Sequence, residues 1–145
     1  MRTALDANVL VYAYDSDAPG MNDRAAALVE ELARSGTAIV ALQALAETAN
    51  VMRRKKVALS VVRARLDRLR GLFPVVHAQD SDLDDALWAV ERHKLAFWDA
   101  MLWATCRRAG CTVLFTEDFQ DGRMLKGLRF VDPFLAKNAK YLPKA

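Results

Sequence analysis

The chain is predicted to fold as an α/β protein, a three-layer α/β/α sandwich around a mostly parallel sheet of four to five strands. Two observations predict it. Short apolar runs alternate with segments of helical period along the whole length, and helices standing between successive strands imply right-handed crossovers that cover both sheet faces. No internal repeat, linker or low-complexity stretch divides the sequence, so residues 1–145 are expected to form a single domain.

Arg2 to Asp6 reads as the first strand and Asn8 to Tyr14 as a short helix or turn. Pro19-Gly20 is expected to break the chain. Asn22 is the expected N-cap of a helix over Asp23 to Arg34, with Ala26, Leu28, Val29, Leu32 and Ala33 facing inward and Gly36 as the stop. Thr37 to Leu42 forms a second strand, and Gln43 to Arg54 a helix carrying Glu47. Ser60 is read as the cap of a further helix, whose Val61, Val62, Leu66, Leu69 and Leu72 oppose Arg63, Arg65, Arg68 and Arg70. Phe73 to His77 is the third strand, Asp80 to His93 a helix with the stripe Leu83, Ala86, Leu87 and Val90, and Trp98 to Ala109 a more apolar helix. Thr112 to Phe115 and Arg129 to Val131 complete the strands.

Composition excludes several classes. Hydrophobic residues are 53% and charged residues 27%, with a mean hydropathy of +0.00, which fits a folded globular chain and not a disordered one. No run approaches the roughly 20 apolar residues of a membrane span, and Asp6 interrupts any signal-peptide core, so a cytoplasmic protein without a membrane partner is expected. Cys106 and Cys111 lie in apolar surroundings and lack a second ligand pair, so buried reduced thiols are expected instead of a disulfide or zinc site. A net charge of +3 and a pI near 9.0 permit a polyanionic partner without requiring one.

Four acids carry the chemistry: Asp6, Glu47, Asp99 and Asp118. Asp6 and Asp118 each follow a strand, and in open parallel sheets the ligand crevice lies beyond the strands' carboxyl ends. Asp99 starts a helix on the same face as Leu102, Trp103 and Cys106, where a carboxylate leaving water needs a cation or strong donors. Carboxylates gathered at one rim repel one another until protons or a hard cation neutralise them. Oxygen ligands suit Mg2+ or Mn2+, and a metal with bound water suits phosphodiester hydrolysis.

At these residues the chain resembles a known family. Asp6-Ala7-Asn8, Glu47, Trp98-Asp99-Ala100 and Leu114-Phe115-Thr116-Glu117-Asp118-Phe119 are similar to the four acidic stations of PIN-domain nucleases, and in particular to VapC-type toxins of bacterial toxin-antitoxin pairs. The likeness is most specific from Phe97 to Phe134, including Asp121-Gly122 and Val131-Asp132-Pro133-Phe134. It implies a PIN-like fold and an Mg2+-dependent endoribonuclease, with Mn2+ as a possible substitute. It further implies Asp6 and Asp99 as main metal ligands, Glu47 and Asp118 completing the cluster or binding a second ion, and Asn8 and Thr116 as hydrogen-bonding support. An RNA substrate, a small antitoxin partner and a toxin homodimer are implied in the same way.

Each acid has a plainer competitor. Asp99 would serve as a helix cap, although Leu102 leaves no capping box. Asp6 would begin an Asx-turn with Asn8 two residues on. Asp118 shares its loop with Glu117 and Asp121, so its choice rests on the family pattern, and Glu47 lies off the stripe of Leu42, Leu45, Ala49 and Met52 as a surface glutamate would. Asp80, Asp82, Asp84 and Glu91 match a calcium-loop spacing, but Asp85 stands where that turn needs glycine. His77 and His93 lack a nucleophile pattern, and no glycine-rich phosphate loop appears. Arg53-Arg54-Lys55-Lys56 ends a helix as the dipole favours, and would hold RNA phosphates if it flanked the acids. Trp88, Trp98 and Trp103 sit at helical spacing, which reads as core before base stacking. Two functions follow: a metal-dependent ribonuclease, or a non-catalytic RNA- or protein-binding module on the same fold.

Overall fold

The structure is a computed structural model and describes residues 1–143. It is a three-layer α/β/α sandwich whose strands are β1 (Thr3–Leu5), β2 (Ala38–Ala41), β3 (Val75–Val76), β4 (Val113–Phe115), β5 (Met124–Leu125) and β6 (Leu128–Val131). They form one six-stranded sheet in the order β3-β2-β1-β4-β6-β5, parallel except for β5 against β6. Every residue of β1, β2 and β4 is buried, as strands covered on both faces must be. Ala4 pairs with Ile39 on one side and Leu114 on the other.

The helices are α1 (Ala7–Tyr12), α2 (Pro19–Ser35), α3 (Leu42–Arg54), α4 (Leu59–Leu72), α5 (Asp80–His93) and α6 (Phe97–Arg108), with a 3-10 helix at Ala136–Tyr141. Strand order runs outward from β1 through β2 to β3, then returns to place β4 on β1's other side. The reversal between β1 and β4 opens a crevice beyond their carboxyl ends.

Several local expectations are corrected. Pro19 does not break the chain but occupies the first turn of α2, where its missing N–H is no loss. Ala18 is therefore the N-cap and not Asn22, whose side-chain amide donates to the Tyr12 carbonyl at 2.8 Å. Ala25 is buried in place of Ala26 and Ala33, which are half-buried; Gly36 ends the helix in the left-handed conformation at φ 68°. Ala58, not Ser60, precedes α4, and Val61 stays 40% exposed. The predicted fifth strand is the sixth, because a two-residue turn at Lys126-Gly127, both with positive φ (47° and 84°), adds the hairpin partner β5.

Helix α5 has the expected span but a different inner face. Leu83 and Leu87 are exposed, while Asp82, Ala86 and Ala89 are buried. Asp82 accepts from Arg108 Nε at 2.7 Å, Arg108 Nη2 at 3.0 Å, the Thr105 hydroxyl at 2.9 Å and the Gln79 N–H at 2.9 Å. Burial acts to raise this carboxyl, but the Arg108 guanidinium, Gln79 and Thr105 outweigh it and hold the group below its ordinary value. The pair locks α5 onto α6, and the small alanines let the two helices approach. Asp80 to Glu91 lies within this continuous helix, so no calcium loop forms.

Both cysteines are free and buried. Burial pushes the Cys106 thiol well up and the Cys111 thiol up to about 11. Among the described residues no helix is long and apolar enough to cross a membrane.

Candidate functional site

Asp6 leaves β1 and caps α1, its Oδ1 accepting the Ala7 N–H at 2.7 Å. The competitor reading of this residue as a local turn former is thus partly met, yet its other oxygen faces across the sheet. Asp6 Oδ2 accepts the Thr116 hydroxyl at 2.8 Å, a residue that follows β4 and is itself buried. That hydroxyl also accepts the Asp118 N–H at 3.1 Å and the Asn8 Nδ2 amide at 3.4 Å. The β1 and β4 ends are therefore tied through one threonine oxygen. The backbone makes the same tie, with the Asp6 N–H donating to the Phe115 carbonyl at 2.9 Å.

Asp99 is the third residue of α6, whose N-cap is Ala96, so Asp99 is not a helix cap. It is half-buried. Glu47 projects from α3 and is exposed, as is Asp118 on the loop after β4. Glu47 and Asp118 line one cleft, and their charges reach both Asp6 and Asp99. Burial pushes the Asp6 carboxyl from an ordinary 3.8 up to about 6, against the Thr116 and Ala7 hydrogen bonds and with the charges of Asp118 and Glu47 adding to the rise. Burial also raises Asp99, and again Asp118 and Glu47 add to it. The two less exposed acids of the four thus share the same two charged neighbours.

A cleft of about 210 Å3 lies beside them, lined by Asn8, Tyr12, Glu47, Lys55, Glu117 and Asp118 among others. Among the described residues Asn8 Oδ1 is buried with no hydrogen-bond partner. An orphaned acceptor costs about 1–3 kcal/mol unless something donates to it or a cation meets it. Among the described residues no group of three or more His, Cys, Asp or Glu side chains is placed so as to hold a metal ion. The all-oxygen donor set fits Mg2+ or Mn2+ nonetheless, since Mg2+ uses one or two carboxylates and keeps several waters.

Two cleft residues escaped the sequence reading. Tyr12 stands four residues after Asn8 on α1, so helical spacing alone would have found it. The facing Glu117 carboxylate pushes its hydroxyl above its ordinary value. Lys55 was legible only as part of a basic run, but it lines the cleft and pairs with Asp15 at 2.8 Å. Asp121 is occupied elsewhere: it accepts the Asp132 N–H and the Asn138 amide at 2.8 Å each and pairs with Lys137 at 3.2 Å. The α4 arginines stay at the surface, where Arg68 donates to the Tyr14 hydroxyl at 3.0 Å and Arg65 lies over that ring. Trp103 is core, whereas Trp98 is 66% exposed beside the acids, against its reading as core.

Solved structures share the fold. Mycobacterium tuberculosis VapC20, described as a Sarcin-Ricin loop cleaving toxin, aligns with a TM-score of 0.61 at 20% identity, covering 88% of this chain and 98% of that one. A toxin-antitoxin complex from Klebsiella pneumoniae gives 0.64 at 16% identity, with 90% and 97% covered. VapBC2 from Rickettsia felis, bound to a DNA fragment from its promoter, gives 0.67 at 16% identity with the same coverage. No curated protein matches the sequence. The model of the PIN domain family matches residues 3–121, a span that holds Asp6, Glu47, Asp99 and Asp118 and most of the chain. The chain belongs to the PIN domain family.

Proposed function

We propose that this protein is a Mg2+-dependent endoribonuclease acting on single-stranded RNA, and the VapC-type toxin of a toxin-antitoxin pair. One observation carries the reading: at the sheet's switch point buried Asp6 is tied through the Thr116 hydroxyl to the loop bearing Asp118, beside a cleft lined by Asn8, Glu47 and Asp118, and the charges of Glu47 and Asp118 raise both Asp6 and half-buried Asp99. Uncompensated, that grouping is unfavourable, and a hard divalent cation removes the conflict.

In this reading Asp6 and Asp99 are the main metal ligands, and Glu47 and Asp118 complete the cluster or hold a second ion. A bound ion supplies positive charge to the phosphoryl oxygen and lowers the pKa of its water. The chain's own residues do the rest. The Thr116 hydroxyl holds Asp6 Oδ2 in a fixed direction, and its bond to the Asp118 N–H fixes the start of the loop. Asn8 turns its carbonyl oxygen into the site while its amide leans on Thr116. Lys55 at the cleft edge offers an ammonium to a substrate phosphate. Likeness to toxin-antitoxin assemblies supports a small antitoxin partner; a toxin homodimer and a cytoplasmic setting belong to the same proposal.

The test is incubation of purified protein with total RNA, with Mg2+ or with a chelator, followed by mapping of cut ends. Discrete cuts with 5'-phosphate and 3'-hydroxyl ends, lost on chelation and in a folded Asp99→Asn variant, are expected. Full cleavage by that variant in Mg2+ overturns the site. Binding unchanged by a chelator, with binding and growth arrest unchanged by carboxylate substitution, makes the protein a binding module instead.

A further inference from the structure

Trp98 stands out once the acids are placed. It is 66% exposed, although Trp103 on the same helix is fully buried. Its orientation is supported on two sides. Phe97 meets its ring edge-on at 5.0 Å and 80°, and Gln43 Nε2 donates to its carbonyl oxygen at 2.8 Å, tying the start of α6 to the start of α3. The indole borders a shallow hollow of about 430 Å3 shared with Gln43, Ala46, Glu47 and Asn50. Glu47 also lines the acidic cleft, so the two depressions adjoin at that one residue.

The hollow's polar groups suit a nucleobase and its phosphate. Arg53 donates to Asn50 Oδ1 through Nε at 3.3 Å and Nη2 at 3.0 Å, which brings a guanidinium to the rim. With Gln43 Nε2 and Asn50 Oδ1 engaged, Gln43 Oε1 remains as an acceptor and Asn50 Nδ2 as a donor. An aromatic face and two amides in one hollow, with a cation bonded to one of those amides, are elements by which proteins hold unpaired bases. A rim of amides, carboxylate and guanidinium favours this ligand over an apolar protein anchor.

We propose that Trp98 is the stacking platform for the nucleobase flanking the bond cut in the acidic cleft, with Gln43 and Asn50 reading that base's edge and Arg53 holding its phosphate. The inference rests on the ribonuclease reading for the identity of the cleaved bond, and deepens it into a substrate preference. Trp98 is a specificity residue and lies outside the metal chemistry.

Two measurements test it separately from that reading. In the first, wild type, Trp98→Phe and Trp98→Ala are compared on an RNA carrying mapped cut sites. Trp98→Ala should raise KM about 5- to 150-fold, the ratio equivalent to ~1–3 kcal/mol of base stacking, with kcat within about twofold and the preference beside the cut relaxed. Trp98→Phe should keep most of the affinity. In the second, octameric rA, rC and rU are titrated in chelator while indole fluorescence is followed, which requires no cleavage. Quenching present in wild type and lost in Trp98→Phe supports stacking even if the protein proves not to be a nuclease. Unchanged KM and cut preference in a folded Trp98→Ala variant of an active enzyme overturns the proposal, as does quenching that persists without Trp98. A change confined to oligomeric state or antitoxin binding also overturns it and assigns the surface to a protein.

Discussion

Replacing Asp82 by asparagine should destabilise the protein sharply without touching the acidic cleft. The carboxylate is fully buried and accepts from Arg108, Thr105 and the Gln79 N–H, so the variant loses a charge-assisted pair and leaves the guanidinium without its anionic partner, though still donating to the His77 carbonyl. Breaking a buried pair costs ~3–5 kcal/mol. The Arg108 side chain is 27% exposed and regains some water, which lowers the expected loss to ~2–4 kcal/mol. For a chain of this size that is a fall in Tm of roughly 5–15 °C. Because folding holds the Asp82 carboxyl below its ordinary 3.8, its contribution is fully present above that value and fades as pH falls through the folded-state pKa. Thermal melts by circular dichroism from about pH 8 to pH 3 should therefore show a constant gap between wild type and variant down to about pH 5, closing in acid. The double change Asp82→Leu with Arg108→Met should recover much of the loss, since two apolar groups leave no orphaned charge. A variant melting within about 2 °C of wild type at neutral pH, or a gap that ignores acid, would refute the buried-pair account.

Other expectations concern the cleft. Mg2+ should raise the Tm of wild type, and leave an Asp6→Asn, Asp99→Asn double variant unmoved, because only the wild type gains ligand-linked stability; equal shifts in calorimetry would place the ion elsewhere. Lys55→Ala should leave the Tm nearly unchanged, since its bond to Asp15 is open to solvent, yet weaken RNA binding and reduce the salt slope by about one. An unchanged slope would remove Lys55 from the phosphate path. Thr116→Val keeps the shape but removes the hydroxyl that joins Asp6, Asn8 and the Asp118 N–H, so Mg2+ affinity or cleavage should fall about 10- to 100-fold. Wild-type affinity by titration calorimetry would show that the hydroxyl is only structural.

Much of the architecture was readable because its cause is local. The span of α5 follows from acidic residues at its start and a periodic interior, and Gly36 ends α2 because a left-handed residue is needed there. Its inner face was not readable. Periodicity gives weight to large apolar residues such as Leu83 and Leu87, whereas the buried Asp82 depends on Arg108, which only the tertiary fold brings near. The hairpin β5–β6 turns at Lys126-Gly127, and a lysine at positive φ, where Asn or Asp is the usual turn residue, hid it in the sequence. At the site, the two acids that follow strands were legible from the sheet rule, and Asp99 from its apolar neighbours. Glu47 was not, since a glutamate off the buried stripe reads as solvated until α3 is set beside α1. The exposure of Trp98 was hidden for the converse reason, an aromatic at helical spacing that the fold leaves uncovered.

The central seam of the sheet joins residues from opposite ends of the polypeptide: Asp6 meets Thr116 across 110 positions. Such a long-range closure cannot form while the later half is still unmade. A ribosome-bound fragment lacking β4 carries Asp6 but neither Thr116 nor Asp118, so its pocket is unfinished. On the nuclease reading, the nascent chain stays harmless to the machinery translating it until almost the last strand emerges.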